Sequence, residues 1–136
     1  MTPQRSAFRH FDRLRVRWAE VDLQQIVFNG HYLMYFDTAV TGWWRAMALP
    51  YHATMAALGG DFFVRKSTVE YHASARFDEL IDVGVRLGRF GNSSMVLSYA
   101  QREATPILAA AAATGGAAAT AGAAATTGAA TTAAVA

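Results

Sequence analysis

The spacing of apolar residues switches from alternation to helical spacing and back along this chain, and each switch predicts an element. Residues 12 to 21 read DRLRVRWAEV, where Leu14, Val16 and Trp18 alternate with Arg13, Arg15 and Arg17. That period of two predicts a half-buried strand with a basic outer face. Residues 31 to 48, HYLMYFDTAVTGWWRAMA, predict one long helix instead, apolar on nearly every side through Tyr32, Leu33, Phe36, Val40, Trp43, Trp44 and Met47. At ~1.5 Å per residue it is about 27 Å long. Asp37, Thr41 and Arg45 make a narrow polar stripe on it, with Thr38 beside them. Such a helix must be covered almost all round. Gly42 costs the helix ~1 kcal/mol of propensity and so predicts a close packing contact. Pro50 ends the helix, and a shorter helical turn from Tyr51 to Leu58 should stop at Gly59-Gly60.

Strand patterns follow. Residues 62 to 74 put Val69, Tyr71 and Ala73 on one face, residues 80 to 88 put Ile81, Val83, Val85 and Leu87 inward, and residues 94 to 102 do the same with Met95, Leu97 and Tyr99. Gly91-Asn92 marks the turn between the last two. A strand, a long helix and then consecutive strands give an α+β domain, with short turns favouring an antiparallel sheet.

Composition narrows the picture. The 136 residues suffice for one domain, expected to span 1–136. From Ala109 to Ala136 only Ala, Gly, Thr and Val135 occur. Low-complexity linkers are usually rich in Ser, Pro or charge, so these letters are read as not reporting the encoded side chains. An intact mass differing from that of the printed tail is the expected result. A last strand is expected in this region. Net charge is +2, pI is about 9.3, and there is no cysteine for a disulfide, a thiolate nucleophile or a thiolate metal site. The first residues lack the apolar segment of a secretory signal, and with the missing cysteines this suits a cytoplasmic protein. The most apolar run contains Asp37 and Arg45, so no membrane span is expected. His10, His31, His52 and His72 are scattered singly, so no metal site is expected. Neither a phosphate-binding glycine loop nor a GxSxG elbow occurs. Three arginines on one strand are too few for a nucleic-acid surface at this net charge.

The chemistry concentrates between Asp22 and Asp37, in DLQQIVFNGHYLMYFD. Asp22 ends the first strand pattern, a short loop follows, and Asn29-Gly30-His31 opens the long helix. Asn29 reads as an N-cap. The free N–H groups of a helix start favour developing negative charge. A carboxylate facing such a site is what acyl-transfer hydrolysis needs. The plain alternative for Asp22 is a solvated loop acid or a capping residue.

This stretch resembles the hotdog-fold acyl-CoA thioesterases of the 4-hydroxybenzoyl-CoA thioesterase type. The positions that carry the resemblance are Asp22, Asn29, Tyr32 and Asp37, continued by Val64-Arg65-Lys66 and Val69-Glu70-Tyr71 as far as about Glu103. The resemblance implies a hotdog fold, an antiparallel sheet wrapped around one central helix. It implies hydrolysis of an acyl-CoA or acyl-carrier thioester, with Asp22 as nucleophile or general base. Backbone N–H groups from about Gly30 to Tyr32 would polarise the thioester oxygen. Part of the family has His where Asn29 stands, so proton transfer from that position is not expected here. His31 and Gln25 are further candidates at the reacting centre, while Tyr32 and Asp37 also read as a core residue and an ion-pair partner. Coenzyme A, entering only as part of the substrate, needs cations for its phosphates. Arg65, Lys66, Arg89, Asn92 and Ser93 are the candidates, and strict alternation would put Arg65 and Lys66 on opposite faces. No other cofactor is implied. The family usually pairs two sheets edge to edge, with sites between protomers, so a homodimer or homotetramer is expected. The competing reading is a non-catalytic acyl-thioester binding module of the same fold. A carboxylate at the thioester argues against it.

Overall fold

The computed structural model describes residues 5–90, 94–103 and 126–135. Five strands, β1 (His10–Arg15), β2 (Phe62–Glu70), β3 (Leu80–Phe90), β4 (Ser94–Glu103) and β5 (Thr126–Val135), form one sheet in the order β1-β3-β4-β5-β2, antiparallel at every pair. The strand expected in the tail is β5. It sits between β4 and β2, so β2 and β3, adjacent in sequence, lie at different places in the sheet. Helix α1 (His31–Ala46) crosses the sheet, and α2 (Tyr51–Leu58) ends on Gly59 with φ +69°, a left-handed value that suits glycine. This is the expected α+β arrangement. Among the described residues no helix is long and apolar enough to cross a membrane.

The core follows from the patterns. Tyr32, Tyr35, Phe36 and Ala39 give α1 its buried face. They meet Ile81, Val83 and Val85 of β3 and Met95, Leu97 and Tyr99 of β4 in one cluster. Phe36 stacks on Tyr99 with ring centroids 4.9 Å apart. Gly42 makes the close contact that its position in a helix suggested: a Cβ there would lie 3.1 Å from Asp12 Oδ2 and 3.2 Å from His10 Nε2. The helix is not covered all round within one chain, because Leu33, Met34 and Met47 remain exposed.

Three expectations are corrected. The first strand ends at Arg15, and Trp18 does not face inward: it is 79% exposed in a 3₁₀ turn over Trp18–Glu20. The turn wins because the Glu20 carboxylate accepts the Arg17 N–H at 2.8 Å and breaks the alternation. Leu87 is exposed rather than inward, next to a register shift between Leu87 and Arg89. Tyr71 lies beyond the end of β2, half exposed, with its hydroxyl donating to Asn29 O at 3.1 Å.

Candidate active site

Asp22 sits where a small hairpin turns. Val21 pairs with Val27 as an isolated antiparallel bridge, and between them Asp22 N donates to Ile26 O at 2.9 Å while Gln25 N donates to Asp22 O at 2.9 Å. One carboxylate oxygen of Asp22 accepts the Gln24 N–H at 2.8 Å, the short side chain folding back on its own turn. The other oxygen has no donor among the described residues. Gln25 holds φ +62°, a left-handed conformation that costs a side-chain-bearing residue energy and is maintained by the surrounding turn.

The return arm of the hairpin runs straight into the helix. Val27 N donates to Ala75 O at 2.9 Å, Phe28 N to Glu20 O at 2.9 Å and His31 N to Phe28 O at 2.9 Å. Ala75 is held from a second side, its N–H donating to the Tyr32 hydroxyl at 3.0 Å. Gly30, not Asn29, is the N-cap residue, with φ −66°, ψ −25° and no side-chain cap. The Asn29 carbonyl accepts from the Tyr71 hydroxyl at 3.1 Å and from Tyr32 N at 3.4 Å, and its side chain makes no capping bond among the described residues. The Gly30 N–H has no acceptor among the described residues. Glycine suits this position by space rather than by backbone angle: a Cβ would lie 3.0 Å from Cε1 of the half-exposed Phe28 ring, which would have to shift slightly.

Asp22 is half-buried on the wall of an open cleft of about 880 Å³, lined also by Trp18, Val21, Leu23, Gln25 and Phe77. Trp18, Leu23 and Phe77 are all large, apolar and exposed. The first helical turn does not contribute to this lining. Within one chain Asp22 and the amides of the helix start are therefore linked through the hairpin but do not face one cleft. A second hollow, about 500 Å³, lies along the other half of α1, between Asp37, Thr41, Trp44 and Arg45 of the helix and Phe62, Val64, Leu97 and Tyr99 of the sheet. It takes in the polar stripe read from the sequence.

The remaining predicted residues divide. His31 is half-buried at the helix start, edge-on to Phe28 with centroids 5.9 Å apart. Tyr32 is 1% exposed, its hydroxyl spent on Ala75, so it stands in the core rather than at a ligand surface. Burial pushes its phenol above its ordinary pKa. Arg65 and Lys66 are exposed on the edge strand β2, but a bulge between Val64 and Lys66 leaves Arg65 unpaired, so the strict alternation expected there fails. Arg89 is exposed near the end of β3. Asn92 and Ser93 lie outside the described residues.

Glu20 escaped the sequence reading. Its carboxylate is buried, and it accepts from the Tyr35 hydroxyl at 2.7 Å, Arg17 Nε at 2.8 Å and Arg17 N at 2.8 Å. Burial alone would raise its carboxyl pKa. The bonds from Arg17 and Tyr35 outweigh burial and hold it below the ordinary carboxylate value. Tyr35 is pushed strongly upward by burial and by the anion it donates to. The three-residue spacing of Arg17 and Glu20, a capping-box distance, was the available signal.

Residues 24–110 match the family described as the thioesterase superfamily. An acyl-CoA thioester hydrolase, YbgC, from Escherichia coli O6:H1 is 29% identical over 88 residues, which cover 62% of this chain and 63% of that protein. The chain thus matches under two thirds of the length of that relative. A hypothetical protein from Aquifex aeolicus superposes with a TM-score of 0.73 at 21% identity, over 93% of this chain and 88% of that one. The 4-hydroxybenzoyl CoA thioesterase from Pseudomonas sp. strain CBS-3 superposes with a TM-score of 0.72 at 16% identity, over 92% and 82%. These likenesses establish the hotdog fold. With the family match spanning most of the chain, its long helix included, the protein belongs to the thioesterase superfamily.

Proposed function

We propose that this protein hydrolyses an acyl thioester carried on coenzyme A or on an acyl-carrier protein, with Asp22 as nucleophile or general base. The observation that carries the proposal is a half-buried carboxylate with one oxygen unengaged among the described residues, rimmed by the exposed apolar groups of Trp18, Leu23 and Phe77. Exposed apolar clusters of this kind mark binding surfaces, and a carboxylate among them has a reactive role open to it. YbgC, by its name an acyl-CoA thioester hydrolase, supports the substrate class.

In the first route Asp22 takes a proton from water, whose oxygen attacks the thioester carbonyl carbon. In the second Asp22 attacks that carbon itself, and water then cleaves the mixed anhydride. In both the C–S bond breaks, the acid is released, and the thiolate leaves to be protonated from solvent. The negative charge that collects on the carbonyl oxygen is stabilised by N–H groups at the start of α1, of which that of Gly30 is unengaged among the described residues. The chemistry draws on water, a carboxylate and backbone amides, with coenzyme A arriving only as part of the substrate. Among the predicted cations, Arg65, Lys66 and Arg89 are exposed and suit its phosphates.

The helix start and Asp22 meet across two copies in this proposal. Among the described residues no further strand pairs with β2 beyond β5, and this edge strand exposes Phe63 and Val64. A second copy added along β2 covers that edge and brings one subunit's acid toward the other's helix. A panel of acyl-CoA and acyl-carrier thioesters, assayed for free thiol and paired with light scattering, tests this. Multiple turnover of at least one thioester by a dimer or a multiple of it is expected. Tight binding without thiol release would assign a binding module instead, and full turnover by a single chain would remove the shared site.

A further inference from the structure

Glu20 is an expensive residue to bury. Taking a carboxylate out of water carries a large desolvation penalty that its partners must offset, and a well-packed apolar pair often serves stability as well. What such a group does supply is a fixed geometry, and Glu20 fixes an informative one. It stands two residues before Asp22. Its side chain, 5% exposed, is held within its own turn by Arg17, whose guanidinium is mostly in solvent. Its second attachment is to helix α1, through the Tyr35 hydroxyl at 2.7 Å. Its third is through the backbone, where its carbonyl accepts Phe28 N at 2.9 Å on the return arm of the hairpin. Tyr35 lies one helical turn beyond His31, on the turn next to the amides that the proposed chemistry uses. The outgoing arm, the return arm and the helix are thus fastened at one residue, the return arm through its carbonyl and the helix through its buried carboxylate.

We propose that Glu20 and Tyr35 are positioning residues, a latch that sets where Asp22 stands relative to the start of α1. The inference rests on the reading of Asp22 as the reacting acid. Without the hydroxyl of Tyr35 the turn over Trp18–Glu20 remains closed by Arg17, but its tie to the helix is lost. The hairpin carrying Asp22 is then held by the Val21–Val27 bridge and by the backbone bonds to Ala75 and Glu20. Small misplacements of a reacting group are costly: ~1 Å can reduce rate by about 100-fold. Toward Tyr35, Glu20 needs only to accept a hydrogen bond at Oε2, so a glutamine whose amide oxygen takes that place keeps the latch while losing the bonds from the Arg17 guanidinium, whereas a methyl group cannot.

The test compares Tyr35→Phe, Glu20→Gln, Glu20→Ala, Asp22→Asn and the Tyr35→Phe/Asp22→Asn double variant. For Tyr35→Phe kcat should fall on the order of 10-fold with KM little changed. Glu20→Gln should retain most of the activity that Glu20→Ala loses. On the Asp22→Asn background Tyr35→Phe should cause no further loss, because the group it positions is gone. Equal factors on both backgrounds would overturn the latch in favour of a merely structural bond. If Asp22→Asn itself turns over like the wild type, the reading of Asp22 fails, and amide exchange then judges the latch alone. Tyr35→Phe should speed exchange at Asp22, Val27 and Phe28 by roughly 10-fold while the amides of β3 and β4 stay protected. Unchanged exchange at those three amides would overturn the latch whatever the turnover.

Discussion

Replacing Tyr32 by Phe separates a core role from a substrate role at a position that the family resemblance marks for binding. The ring stays, so its packing against Tyr35 and Tyr71 is kept and no cavity opens. Only the hydroxyl goes, and with it the acceptor of the Ala75 N–H at 3.0 Å. Ala75 is 4% exposed, so water does not readily replace that acceptor. A buried donor left without a partner costs ~1–3 kcal/mol, and a middle value of ~2 kcal/mol is reasonable here. At roughly 4 °C per kcal/mol for a chain of this size, Tm should fall by about 8 °C. Urea unfolding should give a lower midpoint with an unchanged slope, the signature of lost stability without altered compactness. Below the transition kcat/KM should stay within about twofold of wild type. A variant with an unchanged Tm and a kcat/KM reduced by more than ~10-fold would refute this reasoning and return the Tyr32 hydroxyl to the substrate.

Other consequences are direct. Asp82 is buried and accepts from Arg13 Nε at 2.7 Å, Arg13 Nη2 at 3.1 Å and Arg5 Nη1 at 3.2 Å. Burial would raise its pKa, but these partners outweigh it and hold the carboxyl below its usual value. A depressed acid adds stability above its unfolded pKa of ~4 and loses it as pH falls through the folded value. Asp82→Asn should therefore melt several degrees lower than wild type at neutral pH, with the two melting curves converging in acid. A difference that does not change with pH would contradict the assignment. Gly84→Ala places a Cβ 2.8 Å from Phe11 Cε1 and 2.9 Å from Phe8 Cδ1, closer than real contacts allow. It should cost ~1–3 kcal/mol in chemical denaturation, and an equal or higher midpoint would show that both rings move freely.

Much of the frame was legible because it is written in local periodicity. The short helix Tyr51–Leu58 and its glycine stop were readable from Pro50 and Gly59. The inward face of β4 was readable from Met95, Leu97 and Tyr99. Where β2 pairs was not readable, since that depends on a strand in a tail of Ala, Gly and Thr with no side-chain pattern. The alternation through Arg17 and Trp18 misled because a buried carboxylate three residues from Arg17 rewards a turn more than a strand. At the site, Asp22 could be placed at a loop edge from the sequence. The cap could not: Asn29 has the better capping side chain, but the N-cap falls one residue later, on Gly30, and the Asn29 carbonyl is held by a hydroxyl forty-two residues away. Glu20 and Tyr35 were hidden for the same reason. Their bond spans fifteen residues and two kinds of element.

The central claim is that Asp22 reacts with a bound thioester. The most direct measurement is the single-turnover rate of thiol release by Asp22→Asn beside the wild type, on the best thioester of the panel, with substrate affinity measured for both. The substitution keeps the size of the side chain and the acceptor for the Gln24 N–H, and removes the charge. A rate lowered by at least ~100-fold at similar affinity is predicted. A variant that binds and releases thiol at the wild-type rate would contradict the account.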